Sequence, residues 1–193
     1  MDFLFLGNAL WIDFLNTELH DGTRGYDLLP DVGELLRWGT ESGALTAAAG
    51  RLAADQPAAA ARRSFARAIE LRAGLRAAAL RMVKGGSPPR AAIQKANQVL
   101  LEHPRYTRIS GRGAEWRSDA HDANPGVGLV AARVAEDFAQ FLARESPASV
   151  RQCAQPPCKL LFHDTSRTQA RRWCSMKLCG NRTKVARHRA RNH

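Results

Sequence analysis

Residues 151–193 read RQCAQPPCKLLFHDTSRTQARRWCSMKLCGNRTKVARHRARNH and contain all four cysteines of the 193-residue chain. The cysteines form two pairs of equal spacing, Cys153-x4-Cys158 and Cys174-x4-Cys179, with fifteen residues between the pairs. The first pair brackets the turn sequence Ala-Gln-Pro-Pro, and the second runs into Gly180-Asn181-Arg182. Two cysteine-bracketed turns, joined by a connection long enough for a hairpin, suit the tetrahedral sulfur coordination of zinc, with bonds of about 2.3 Å. The loops are longer than the commonest two-residue knuckle but inside the range of structural sites.

Four cysteines could also form two disulfides, in one of three connectivities. The start of the chain argues against export. Met1-Asp2-Phe3-Leu4-Phe5-Leu6 lacks a positive leading segment, Asp13 interrupts the apolar stretch, and no small-residue cleavage site follows. The expectation is a reducing, cytoplasmic setting in which Cys153, Cys158, Cys174 and Cys179 are thiolate ligands of one structural Zn²⁺. Four thiolates leave no open position for water or substrate. The ion would supply folding energy that a short segment with few apolar side chains lacks. His163, His188 and His193 are weaker alternatives to a cysteine ligand.

Charge is segregated along the chain. The whole carries 29 basic and 18 acidic residues, yet residues 151–193 hold eleven of the basic ones and a single acid, Asp164. Four thiolates and one Zn²⁺ would leave this segment at about +8. A nearly neutral body followed by a strongly cationic module suits a polyanion, and nucleic acid fits because neutralised phosphates release counterions.

The run Cys158-Lys-Leu-Leu-Phe-His-Asp-Thr-Ser-Arg167, continued by Arg171-Arg172-Trp173-Cys174-Ser-Met-Lys-Leu-Cys179-Gly-Asn-Arg182, resembles the CGNR zinc finger, named for the tetrad at 179–182. In that family the finger follows an ABATE-type domain, which Leu15-Asn16-Thr17, Leu71-Arg72 and Asn97 resemble. The resemblance implies a bacterial protein of a family described as stress-induced transcription regulators.

The body reads as mostly helical. No apolar run approaches the roughly eighteen residues of a membrane span. Phe3 to Leu6 suggests a short strand, and residues 8–19 a helix apolar nearly all round, hence central to a core. Helices are expected over Asp31–Ser42, between Pro30 and Gly43, over the Ala-rich Thr46–Ala54, ended by Asp55 and Pro57, over Pro57–Lys84, closed by Gly85-Gly86, and from Pro88 to Glu102. A β-hairpin is expected from Tyr106 to Ser118 around Gly111-Arg112-Gly113. An amphipathic helix covers 126–144, and Glu145-Ser146-Pro147 marks a boundary. The predicted architecture is mainly α (α+β). A helical domain with a small antiparallel β element spans residues 1–145, and a treble-clef-like four-cysteine zinc finger spans 146–193.

Helical phasing at about 100° per residue sets Arg72 in the apolar arc of the long helix and Asn97 in that of the next. A buried guanidinium requires a carboxylate, for which Asp13 is the first choice. Asp13, Asn16, Thr17, Arg72 and Asn97 then form either a structural polar network or a ligand pocket. In the finger, Lys184, Arg187 and Arg191 share one sector of the last helix. With Arg171 and Arg172 they are the candidate phosphate contacts. Arg182 is expected to be structural and paired with Asp164, while Phe162 and Trp173 pack behind the metal.

The expected function is DNA binding in transcription regulation, with the body sensing, dimerising as a homodimer, or docking a partner. The alternative is a module that binds RNA or an acidic protein of the transcription machinery, without sequence-specific DNA readout. No nucleophile-and-base arrangement points to an enzyme.

Overall fold

The computed structural model describes residues 2–20 and 25–191, apart from the side chains of His20, Arg187, His188, Ala190 and Arg191. Seven α-helices and three separate two-stranded antiparallel ribbons make up the described chain. Helix α1, Leu10–Leu15, lies at the centre, with Trp11, Ile12, Phe14 and Leu15 fully buried. The Trp11 ring meets Phe138 and Phe141 of α6 (Gly128–Arg144) at 5.1 and 5.2 Å, and Phe14 meets Trp38 of α2 (Val32–Glu41) at 5.0 Å. Each such side chain contributes about 1.5–3 kcal/mol through burial.

Helix α1 stops earlier than its apolar pattern suggests. The Thr17 hydroxyl donates to the Phe14 carbonyl at 2.7 Å, a local bond that competes with helix continuation. The chain then enters ribbon β1 (Glu18–His20) and β2 (Gly25–Asp27). Phe3 to Leu6 is not a strand. It is an irregular segment whose Leu4 and Leu6 pack on the cysteine module.

The remaining helices begin and end where local chemistry dictates. Asp31 caps α2 by accepting from the Glu34 N–H, and Thr46 caps α3 (Ala47–Ala54) by accepting from the Ala49 N–H. Helix α4, Ala58–Val83, follows Pro57 and gives way to Gly85 at φ +80°, a left-handed position suited to glycine. Helix α5, Arg90–Glu102, follows Pro89. Its buried stripe is Ala92, Ala96 and Val99, while Leu101 is 81% exposed and Asn97 is exposed. The phasing that sets Asn97 in the apolar arc is therefore off by part of a turn. Small residues face α4, where a Cβ on Gly74 would lie 4.0 Å from the Ala92 Cα, so close approach of the two helices outweighs the larger leucine.

Strands β3 (Arg105–Arg112) and β4 (Glu115–Asp122) form the long expected ribbon. After α6 the chain forms β5 (Val150–Gln152), β6 (Leu161–His163) and the terminal helix α7 (Asn181–Arg191).

Arg72 is buried, at 2% exposure, and its partner is Asp27 rather than Asp13. Its two terminal nitrogens grip the Asp27 carboxylate at 2.8 and 2.5 Å, and one also donates to the Thr17 hydroxyl at 2.8 Å. One turn on, Arg76 donates to the Leu15 carbonyl at 3.0 Å and lies 3.5 Å from Glu18. Two arginines of α4 thus hold the end of α1 and the β1–β2 ribbon. Burial alone would raise the Asp27 pKa, but the hydrogen bonds and charge of Arg72 hold it below the usual carboxylate range. Asp27→Ala leaves a buried guanidinium without a counter-charge and should cost about 3–5 kcal/mol in urea unfolding.

Candidate metal centre

The β5–β6 ribbon carries the first cysteine pair at its turn. The Cys153 N–H donates to the Leu160 carbonyl at 2.9 Å, closing the loop, and the Ala154 N–H reaches the Arg172 carbonyl at 2.8 Å. Of the second pair, Cys179 sits on a wide turn, Met176–Gly180, capped by Ser175, whose hydroxyl accepts from the Leu178 N–H, and Cys174 lies just before that cap. This turn leads directly into α7. The Thr183 hydroxyl lies 2.9 Å from the Cys179 carbonyl and within bonding reach of the Gln155 side chain, tying α7 to both loops.

These elements bring the sulfurs of Cys153, Cys158, Cys174 and Cys179 within 4.8 Å of one another. Cys158 and Cys174 are 3.8 Å apart, and Cys174 and Cys179 are 3.6 Å apart. Tetrahedral zinc with bonds of about 2.3 Å sets its sulfurs about 3.8 Å apart, so the donor set fits the ion. The four thiols also compete for ionisation. Hydrogen bonding from Cys174 draws the Cys158 thiol down to about 5. The bond to Cys158, followed by burial, pushes Cys174 up, and burial raises Cys179 to about 11. A divalent cation at the centre would favour all four thiolates together.

Phe162 is fully buried against this cluster with Leu160, and Trp173 packs beside it, as expected. Arg171 departs from its expected place at a phosphate. Its guanidinium lies over the Phe162 ring at 4.6 Å, donates through Nε to the Trp173 carbonyl at 2.8 Å, and reaches the Cys174 carbonyl. Arg172 and Lys184 are exposed. The Arg187 and Arg191 side chains, and His188 and His193 as ligand candidates, lie outside the described residues.

The expected Arg182–Asp164 pair does not form. Arg182 is exposed, at the edge of a cavity of about 390 Å³ between body and finger lined by Leu6, Leu19, Leu160 and Leu178. Asp164 is 1% exposed and fully engaged nearby. It accepts from the Ser166 N–H at 3.0 Å, the Ser166 hydroxyl at 2.6 Å and the Arg171 N–H at 2.8 Å. Burial would raise its pKa, yet these bonds hold it below the usual value. Asp164 thus folds the loop that places Arg171.

The five residues proposed for a network or pocket do not share one site. Arg72 meets both Asp27 and the Thr17 hydroxyl, and Asn97 is on the surface. Asn16 is buried and joins the finger to the body: its Nδ2 donates to the Leu161 carbonyl and its Oδ1 accepts from the Leu161 N–H, each at 2.9 Å. Nearby, the His163 N–H donates to the Gly7 carbonyl at 2.7 Å, and the Asn8 side chain to the His163 carbonyl at 2.9 Å. Val150 and Leu161 belong to the same core cluster as α1. The sequence carried no sign of this seam beyond a polar Asn16 in an apolar run. Asp13 organises it from the body side, its Oδ1 accepting from the Gly7 N–H at 2.7 Å.

Two measurements test the roles of Asp164 and Asp13. Asp164→Ala strips three donors of their acceptor and should cost about 3 kcal/mol in unfolding of the metal-loaded chain. Asp13 has its pKa raised by burial from 3.8 to about 6. Its folded form therefore keeps a proton that the unfolded chain has lost, and its contribution to stability falls as pH rises from about 4 to about 6. Asp13→Asn keeps an acceptor for Gly7 and should remove that decline, about 2–3 kcal/mol, when the two unfolding profiles are compared across this window.

Comparison with known families agrees with this geometry. A model described as the CGNR zinc finger matches residues 149–192. A second, ABATE, described as a putative stress-induced transcription regulator, matches residues 8–145. No curated protein matches the chain. Because the ABATE match covers well over half of the sequence, the chain belongs to the ABATE family and carries a CGNR zinc finger after that domain.

Proposed function

We propose that this protein is a zinc-containing DNA-binding regulator whose finger grips phosphates while the helical body seats the finger and docks a partner. One Zn²⁺ held by Cys153, Cys158, Cys174 and Cys179 would be structural, fixing the start of α7 and the loop before it. Binding rather than catalysis is the activity assigned, since four sulfur ligands leave the ion no open position.

The observation that carries this reading is where the module keeps its one acid. Asp164 is buried and its oxygens are occupied by the loop it folds. Arg151, Lys159, Arg167, Arg172, Lys177, Arg182, Lys184 and Arg189 are all exposed. Among the described residues from 151 on, every exposed charged side chain is therefore a cation. Within the described finger no exposed carboxylate offsets these cations, and the acids that border it, Glu18 and Glu145, belong to the body. No element of the described finger is placed in a groove by these observations, so they support phosphate contact and leave base readout unassigned.

The test uses the metal-loaded full chain with duplex DNA, single strands and RNA in fluorescence anisotropy across a salt series. Duplex affinity should fall steeply with salt, and Arg172→Ala and Lys184→Ala should each reduce the slope by about 1. Chelation of the metal should abolish binding. A slope that neither variant changes, or stronger binding to RNA than to duplex, would overturn the assignment to DNA.

A further inference from the structure

The β3–β4 ribbon is exposed throughout β3 and over all of β4 except its last two residues. Among the described residues, the side chains that tie it to the body lie at its base. There Arg105 lies 3.6 Å from Asp122 and 3.5 Å from Glu136, and Arg133 of α6 meets both Asp122 and Glu136. Pairing runs from Arg105↔Asp122 to Arg112↔Glu115 across a two-residue loop led by Gly113 at φ +62°. A lone two-stranded ribbon is marginal in water, and both of its edges offer unpaired backbone.

The two faces differ. Opposed residues share a face, so Thr107, Ile109, Trp116 and Ala120 fall on one side, with Ile109 71% and Trp116 64% exposed. The other side alternates charge: Arg108 opposes Asp119, and Arg112 opposes Glu115. From 105 to 122 there are four arginines and three acids, close to neutral, so this arm does not share the finger's preference for a polyanion.

We propose that two copies of the chain associate through this arm, β4 pairing antiparallel with β4 of the second copy about a two-fold axis at Ser118. Strand β3 holds three arginines and no acid, so it cannot pair with itself without leaving them unmatched. Strand β4 can. A two-fold at Ser118 sets Arg117 against Asp119, Glu115 against His121, and Trp116 against Ala120 of the second copy. Each of these pairs then occurs twice. The neighbouring registers, centred on Arg117 or Asp119, oppose that charge to its own copy, which is unfavourable. A one-residue shift would turn apolar side chains to the charged face. The chosen register continues both faces. One row reads Arg108, Asp119, Arg117 and Ser110 across four strands, and on the other face Trp116 of each copy lies beside Ala120 of the other, with the two Ser118 hydroxyls at the axis between the Ile109 side chains. Each arm tip reaches the base of the other, which keeps the two bodies at opposite ends. The contact is isologous, as closed dimers require.

Light scattering and sedimentation of the full, metal-loaded chain without nucleic acid test this. The chain should be a dimer at tens of micromolar. Arg117→Glu sets two acids together across the axis, and Ser118→Arg sets arginine against arginine. Neither site faces an opposite charge within its own ribbon. Each variant should weaken dimerisation by about tenfold or more, with metal content and the melting of the dilute monomer unchanged. A wild-type chain that stays monomeric, or a dimer that both variants leave intact, would overturn the proposal.

Discussion

Two hydrogen bonds from one buried amide hold the molecule's parts in register. Asn16 meets Leu161 with both a donor and an acceptor, as a neighbouring strand would. Its side chain thereby satisfies two backbone groups of β6 that would otherwise be orphaned in a closed core. Around it, Val150 and Leu161 complete the apolar cluster begun by α1. Helix α1 can end at Leu15 because the next residues are engaged elsewhere: Asn16 in this contact, Thr17 with Arg72, and Glu18 onward in the β1–β2 ribbon. The architecture is therefore less divided than its two sequence segments suggest, since the finger's ribbon is the last layer of the body's core.

Much of this was legible in the sequence, and the failures share a cause. The cysteine spacing, the helices between Pro30 and Glu102, and the buried face of α6 are local or periodic signals, and local chemistry decides them. Helical phasing suffices to bury Arg72 and to require a carboxylate beside it. Its partner, Asp27, ends a three-residue strand, Gly25–Asp27, too short to carry a periodic signature. Asn97 lies outside, with Leu101, because α5 presents alanines to α4, where closeness of approach matters more than side-chain size. Pairing Arg182 with Asp164 matched the only acid to a nearby cation. The loop had already used that acid for three of its own donors, a need that composition does not reveal.

Electrostatics divides labour among three surfaces. The finger turns cations outward and keeps its acid inside. The arm balances the arginines of one strand against the acids of the other. The interior tolerates one guanidinium because two oxygens of one carboxylate and a hydroxyl meet it. Each arrangement follows from the number of acids within reach. None are on the finger's surface, nearly as many as the bases are on the arm, and one meets Arg72.

The shared core makes the body a gauge of what the sulfurs hold. Val150 and Leu161 lie in the same cluster as Trp11 and Phe138, so whatever secures the ribbon between the two cysteine loops also secures the helices beneath it. An ion bound only by the folded cluster draws the whole equilibrium toward the native state in proportion to the logarithm of its free concentration. The thermal tolerance of a helical domain with no ligand atom of its own would then be set by the metal supply around it.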